Sequence, residues 1–150
     1  VWSPDGKEIL FTRADALNYK PAFETDKPVQ SENVSLPFIT GEKKIKYDIC
    51  RIPFNGGRGG RAELVAGASR NGKSNFFPKY SPDGKWIVFC KAESMMSLQP
   101  DSRLFIIPAK GGEAREMECN TERMNSWHLW SLNSKWLVFL HVYLVDLLLA

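Results

Sequence analysis

The chain has 150 residues, 43% of them hydrophobic, and its 20 basic and 17 acidic residues give a net charge of +3. This length suffices for one domain with a sizeable core, and the scattered, nearly balanced charges argue against a nucleic-acid-binding surface. The three cysteines, Cys50, Cys90 and Cys119, form no CxxC or zinc-binding pattern. They therefore predict buried thiols and neither a disulfide framework nor a metal site.

The chain opens with a phrase that it later repeats, Trp2-Ser-Pro-Asp-Gly-Lys7 followed by the alternating run Glu8–Phe11. Pro4 presets φ for a turn, Asp5 can accept a hydrogen bond from the backbone two residues on, and Gly6 takes a positive φ without steric cost. The phrase predicts a tight hairpin whose first strand ends at Val1-Trp2. We therefore expect the chain to be a piece of a longer repeat array.

A polar insertion is predicted at residues 14–46, before a strand at Tyr47–Pro53 and the reversal Gly56-Gly57. The turn phrases lie 78 residues apart but the glycine pairs Gly56 and Gly111 only 55 apart, which leaves 23 extra residues in the first copy. A long loop inserted at the surface costs little chain entropy, and in a compact fold it is either functional or mobile.

The segment Gly67–Ser74 matches the phosphate-binding pattern GxxxxGK[ST] letter for letter. That chemistry needs a helix that begins at the lysine, so that the free backbone amides face the phosphates. Pro78 and the second turn phrase leave no room for such a helix. We expect a loop followed by a strand, and no nucleotide.

The second copy of the phrase predicts four strands in sequence order. A strand at 74–80 leads into a turn at Pro82, Asp83 and Gly84, and a second strand covers Lys85–Lys91. The third strand is Arg103–Pro108, followed by the reversal Gly111-Gly112 and a short strand within Glu113–Glu118.

The third copy is degraded. It starts at Asn125, and Leu132 and Ser134 replace the proline and the glycine of the turn. A non-glycine residue at positive φ costs about 1 kcal/mol unless the turn changes type. The apolar tail after Phe139 leaves the repeat pattern and can cover a sheet edge or promote aggregation. The strand aromatics are predicted to be core: Trp86, Phe89, Trp127, Trp130, Trp136 and Phe139.

These phrases, and the Ile-Pro-x-x-Gly-Gly endings at Ile52–Gly57 and Ile107–Gly112, resemble the WD40-like (PD40) repeats of TolB-type β-propellers. The resemblance implies an all-β partial propeller of about two and a half four-stranded antiparallel blades that do not close into a ring. As one domain, blade 1 would span 1–67 with its insertion, blade 2 would span 74–118, and a degraded blade 3 would span 125–150.

By the family plan the innermost strands line a channel that opens on a ligand-binding face. That plan makes Asn75, Asn125 and His128 the candidate ligand-binding residues, with no catalytic residue, cofactor or metal. An alternative stays open: the asparagine amides can satisfy loop backbone groups, and His128 can be a buried structural histidine.

The resemblance implies a non-catalytic binding or scaffold module in the periplasm or outside the cell. Its partner would be a protein, peptide or glycan, and we expect self-association or contact with further blades. The alternative function is an accessory propeller domain of a prolyl-oligopeptidase-like hydrolase. The sequence contains no GxSxG nucleophile motif and no paired-carboxylate motif, so we expect no enzyme activity from this chain. We expect no membrane span, because the apolar tail is short of the roughly 20 residues that a span needs.

Overall fold

The computed structural model of the chain describes residues 1–14, 36–38, 40–96 and 99–142. These residues are mostly β-strand, with one short helical turn at 36–38 and one 3-10 turn at Asn55–Gly57. The strands in chain order are β1 (Glu8–Ala14), β2 (Tyr47–Pro53), β3 (Glu63–Leu64), β4 (Ser74–Tyr80), β5 (Trp86–Ala92), β6 (Arg103–Pro108), β7 (Arg115–Glu116), β8 (Met124–Trp130) and β9 (Leu137–Val142).

The strands form three antiparallel sheets, none of them closed. The first sheet has the order β1-β2-β3, the second β4-β5-β6-β7 and the third β8-β9. Every strand predicted in the second copy of the repeat is confirmed, and so is the strand at Tyr47–Pro53. The segment after Gly67 leads into strand β4, as expected, and not into a helix. Val1 and Trp2 pair with β1 through an isolated bridge from Trp2 to Ile9.

Most of the predicted insertion at 14–46, namely residues 15–35 and 39, lies outside the described residues, as does the tail from 143 to 150. The described end of the insertion is anchored to the second sheet. Ile45 is buried, its N–H donates to Ser94 Oγ at 3.0 Å, and its carbonyl accepts from Met95 N at 2.7 Å. This end of the insertion is therefore tied to the loop that follows β5.

The second sheet is covered on both faces. Tyr80, Ile87 and Phe89 on one face pack against Leu10 and Ile49 of the first sheet. The opposite face carries the buried side chains Phe76, Val88, Cys90 and Leu104, and it packs against Trp130, Leu137 and Phe139 of the third sheet. Alternation along β5 thus sends successive side chains into two different cores.

The two sheet junctions differ in their polar contacts. Between the first and second sheets, Tyr80 donates its hydroxyl to Glu8 Oε1 at 2.7 Å, and Arg51 lies 3.5 Å from the same oxygen. Burial and the hydrogen bond to Glu8 raise the pKa of Tyr80 above its usual range. At the next junction Trp130 stands in the position of Tyr80, and its buried Nε1 has no hydrogen-bond partner within the described part of the chain.

Two of the aromatics predicted as core are exposed, which corrects that prediction. Trp136 is 71% exposed and Trp127 is 44% exposed, whereas Phe89 is fully buried as predicted. The repeat register places equivalent side chains on equivalent faces, but burial also requires a neighbouring sheet. Within the described residues nothing covers the outer face of the third sheet as the third sheet covers the second.

All three copies of the turn phrase adopt the same turn. In each, a serine Oγ donates to the Asp or Asn two residues on, at 2.6–2.7 Å, and accepts from the backbone N–H five residues on, at 2.9–3.0 Å. These serines are Ser3, Ser81 and Ser131. The predicted turns are confirmed, since Gly6 and Gly84 have φ of 69° and 72°.

The degraded third turn does not change type. Ser134 adopts a φ of 58°, and its N–H donates to Ser131 O at 3.0 Å, as Gly84 does to Ser81 O. Its hydroxyl also accepts from Asp83 N at 2.9 Å, which links the turn to that of the second sheet. This bond, which a glycine could not make, offsets part of the cost of the positive φ.

We expect Ser81→Ala to lower the free energy of unfolding by about 2 kcal/mol, because the side chain is fully buried and its loss leaves Trp86 N without its partner. The matched change Ser131→Ala removes the same two bonds at a half-exposed turn, where water replaces them, and should cost about 0.5 kcal/mol. Urea denaturation of the two variants measures both values. Equal losses would contradict the role of burial.

Candidate functional site

Strands β4 and β8 share a local irregularity at equivalent positions. The pairing register shifts between Phe76 and Lys79 in β4 and between Ser126 and Leu129 in β8. Within these bulges Phe77 has a φ of 52° and Trp127 a φ of 46°. Large side chains rarely adopt this left-handed backbone, at a cost of about 1–3 kcal/mol each. The two residues lie 50 positions apart in the chain. The same strained backbone conformation therefore occurs at equivalent positions of two sheets and is not an isolated irregularity.

The bulges open onto one groove of about 370 Å³ between β1, β4 and β8. Phe77 and Trp127 face it from adjacent sheets, and β1 supplies the opposite wall. The residues that line it include Phe11, Thr12, Phe77, Lys79, Trp127 and His128. The walls are apolar and aromatic, Lys79 supplies a positive charge, and no carboxylate lines the groove among the described residues.

His128 lies at the back of this groove and is nearly fully buried. Its Nε2 lies 3.0 Å from Val88 O, and because a carbonyl only accepts, Nε2 carries the proton. Its Nδ1 is therefore an acceptor, and it faces Cys90 Sγ at 3.7 Å. Sequence reasoning missed this pairing, since the two residues lie 38 positions apart and meet only across the junction of two sheets.

The cysteine–histidine pair is not poised for nucleophilic catalysis. Burial lowers the pKa of His128 to about 4, although the bond to Val88 O opposes that shift. Burial likewise raises the pKa of Cys90 to about 11. At neutral pH both groups are uncharged, whereas cysteine catalysis requires a thiolate. Cys90 Sγ also lies 3.5 Å from Ser126 Oγ, so the pair is part of a buried polar contact between the second and third sheets.

Asn75 and Asn125 are fully buried, and both side chains bond to the protein. The Nδ2 of each donates to the carbonyl two residues earlier, namely that of Lys73 or Arg123. Each also donates to the adjacent sheet or loop, Asn75 to Tyr47 O at 3.2 Å and Asn125 to Ser102 O at 3.4 Å. Of the three predicted ligand-binding residues, only His128 is among those that line the groove.

A second, smaller depression of about 280 Å³ lies over β5, β6 and β7. Its rim mixes three basic with three acidic side chains, and Lys91 sits 3.6 Å from the ring centroid of Phe105. Because basic and acidic side chains are equal in number, this depression favours neither an anionic nor a cationic ligand. The groove between β1, β4 and β8 is therefore the better candidate site.

Comparison with known proteins adds no family assignment. Neither a scan against protein-family models nor a search of curated proteins finds a match to this sequence. The resemblance to TolB-type repeats thus rests on the repeat phrases alone.

No helix in the part of the chain that the structure describes is long and apolar enough to cross a membrane. In the same part of the chain, no group of three or more histidine, cysteine, aspartate or glutamate side chains is arranged to hold a metal ion.

Proposed function

We propose that the chain is a non-catalytic binding module, part of a β-propeller in which the three sheets are successive blades. Support for the propeller arrangement comes from the face-to-face stacking of the sheets and from the turn phrase that recurs in each. In the family plan the strands of a blade follow one another from the innermost to the outermost, which would make β4 and β8 innermost strands. Their bulges and the groove would then lie along the central channel.

The observation that carries the binding role is the pair of left-handed aromatic residues, Phe77 and Trp127, beside one groove. Backbone strain of this kind persists only where the surroundings enforce it, and it concentrates at binding sites. A glycine or an asparagine would relieve the strain at either position. The chain instead has a large aromatic residue at both positions, which favours a binding role for the two rings.

The chemistry of the groove favours a segment of a partner protein with an apolar side chain close to a carboxylate. The half-exposed ring of Trp127 and the partly buried ring of Phe77 provide contact area with little loss of side-chain entropy on binding, as in many protein interfaces. Lys79 would attract the carboxylate, and Thr12 adds a hydroxyl that can donate or accept. The extracytoplasmic location implied by the resemblance stays a prediction.

The proposal is tested with an array of immobilised 12-residue peptides probed with the dilute 150-residue chain. We expect acidic, aromatic-containing peptides to bind, and Trp127→Ala to weaken that binding at least tenfold. Trp136→Ala is the matched control, because Trp136 is still more exposed but lies outside the groove. Lys79→Ala should weaken binding selectively for peptides that contain a carboxylate.

An array without bound peptides, or binding that Trp127→Ala leaves unchanged, would overturn the proposed function. Equal losses in Trp127→Ala and Trp136→Ala would also contradict it, since they would indicate nonspecific adhesion of exposed tryptophans. Circular dichroism of each variant confirms that the sheets are intact.

A further inference from the structure

The outer face of the third sheet is a second exposed apolar surface, separate from the groove. Trp136, Val138 and Leu140 alternate along or beside β9, and Leu129 of β8 pairs with Val138. Their exposed fractions are 71%, 71%, 49% and 61% in that order. Soluble monomers rarely leave a contiguous patch of such large apolar side chains in water. We call these four residues the tail face.

The repeat itself shows what kind of surface covers such a face. Val138 and Leu140 lie 50 positions after Val88 and Cys90, their equivalents in the second sheet. Val88 and Cys90 are completely buried, because the third sheet packs on them through Trp130, Leu137 and Phe139. The covering surface therefore combines the aromatic that opens the turn phrase with two apolar residues of the strand that follows.

An equivalent surface lies at the other end of the stack, and within the described residues no sheet packs on it as the third sheet packs on the second. Trp2, Ile9 and Phe11 of the first copy correspond to Trp130, Leu137 and Phe139 of the third. Trp2 is 51% exposed and packs edge-on against Phe54 at 4.9 Å, and Phe54 is itself exposed. In the second sheet the corresponding residues Tyr80, Ile87 and Phe89 are buried against the first sheet. We call Trp2, Ile9, Phe11 and Phe54 the head face.

We propose that the tail face of one chain binds the head face of a second copy of the same chain. The contact repeats the sheet-on-sheet packing that already joins the second sheet to the third within the chain. Because the two faces differ, the contact is heterologous, and it adds further copies until the assembly closes on itself or continues as a filament.

The test uses one charge placed on each face of the full 150-residue chain. Val138→Asp blocks the tail face and Trp2→Asp blocks the head face, both at exposed positions where the fold tolerates a carboxylate. By sedimentation velocity we expect the wild-type mass to rise with concentration, while each variant alone stays monomeric. Mixing the two variants leaves one intact head face and one intact tail face, so the mixture should form a 1:1 dimer and nothing larger.

Leu132→Asp is the matched control, since Leu132 is 96% exposed in the third turn and lies on neither face. It should associate as the wild type does. A wild-type chain that stays monomeric at every concentration would overturn the proposal.

A dimer that survives Trp2→Asp but not Val138→Asp would also overturn the proposal. It would indicate that two tail faces pair symmetrically. Failure of the mixed variants to form a dimer would overturn it as well, because it would show that a head face does not bind a tail face. The head face shares Phe11 with the groove, but the three substituted positions, Trp2, Leu132 and Val138, lie outside it, so these outcomes are distinct from a loss of peptide binding.

Discussion

The free energy of unfolding should fall by about 3 kcal/mol as the pH is lowered from 6.5 to 4, because His128 is buried in its neutral form. Burial lowers its pKa in the folded chain from 6.5 to about 4. Between these values the unfolded chain binds a proton at His128 and the folded chain does not. This contribution to stability is therefore complete above pH 6.5, is lost progressively as the pH falls, and levels off below pH 4.

Urea denaturation at intervals across this pH range measures the effect. His128→Gln should flatten the pH dependence in this window even if it lowers stability throughout, whereas His141→Gln, at an exposed position, should leave it intact. Asp5 and Asp83, whose pKa values are lowered from 3.8 by hydrogen bonds from Ser3 and Ser81, act below this range. An unchanged pH profile in His128→Gln would contradict the assignment.

The second large effect is expected from Gly67→Ala, which should destabilise the chain by about 4 kcal/mol. Gly67 has a φ of 83°, and an added Cβ would lie 2.0 Å from Gly112 O and 2.8 Å from Ile107 Cδ1. The backbone cost of positive φ adds to the cost of forcing two loops apart at the junction of the first and second sheets. The hydrogen bond from Gly112 N to Ala66 O, 3.0 Å long, should break.

Gly72→Ala separates the two contributions. Gly72 has a similar φ of 76°, but an added Cβ would meet nothing within 4 Å. We expect a loss of only about 1 kcal/mol, from the backbone alone. The difference between the two variants in thermal or urea unfolding measures the steric part. Similar losses would mean that the two loops separate easily.

The sequence predicts strands well here because its turn chemistry is local. Pro82, Asp83 and Gly84 determine a turn regardless of what surrounds them, and the strands on either side follow from the alternating side chains. The strand at Tyr47–Pro53 was predictable for a similar reason, because a paired glycine marks its end. These signals need no knowledge of distant residues.

The candidate site depends on contacts that no local pattern contains. The register shift that turns Phe77 toward the groove has one local signal, because Pro78 follows Phe77 and a proline inside a strand is typical of a bulge. Nothing in the sequence indicates that β1 and β8 lie beside it. The Cys90–His128 contact requires two sheets to be stacked in a specific register. The exposure of Trp136 depends on whether another sheet packs on the third sheet. Its equivalent Trp86 has a similar sequence context but is less exposed, so the local sequence does not distinguish the two.

The pairing of β1 with β2 has a consequence for how the chain folds. Ala14 pairs with Tyr47, so closing this hairpin means bringing together the ends of the connection formed by residues 15–46. The β4–β5 hairpin closes over only the five residues Ser81–Lys85. The longer closure costs about 1.6 kcal/mol more in chain entropy. The second and third sheets can therefore nucleate from local hairpins, while the first sheet assembles late, on the surface that the second sheet already presents.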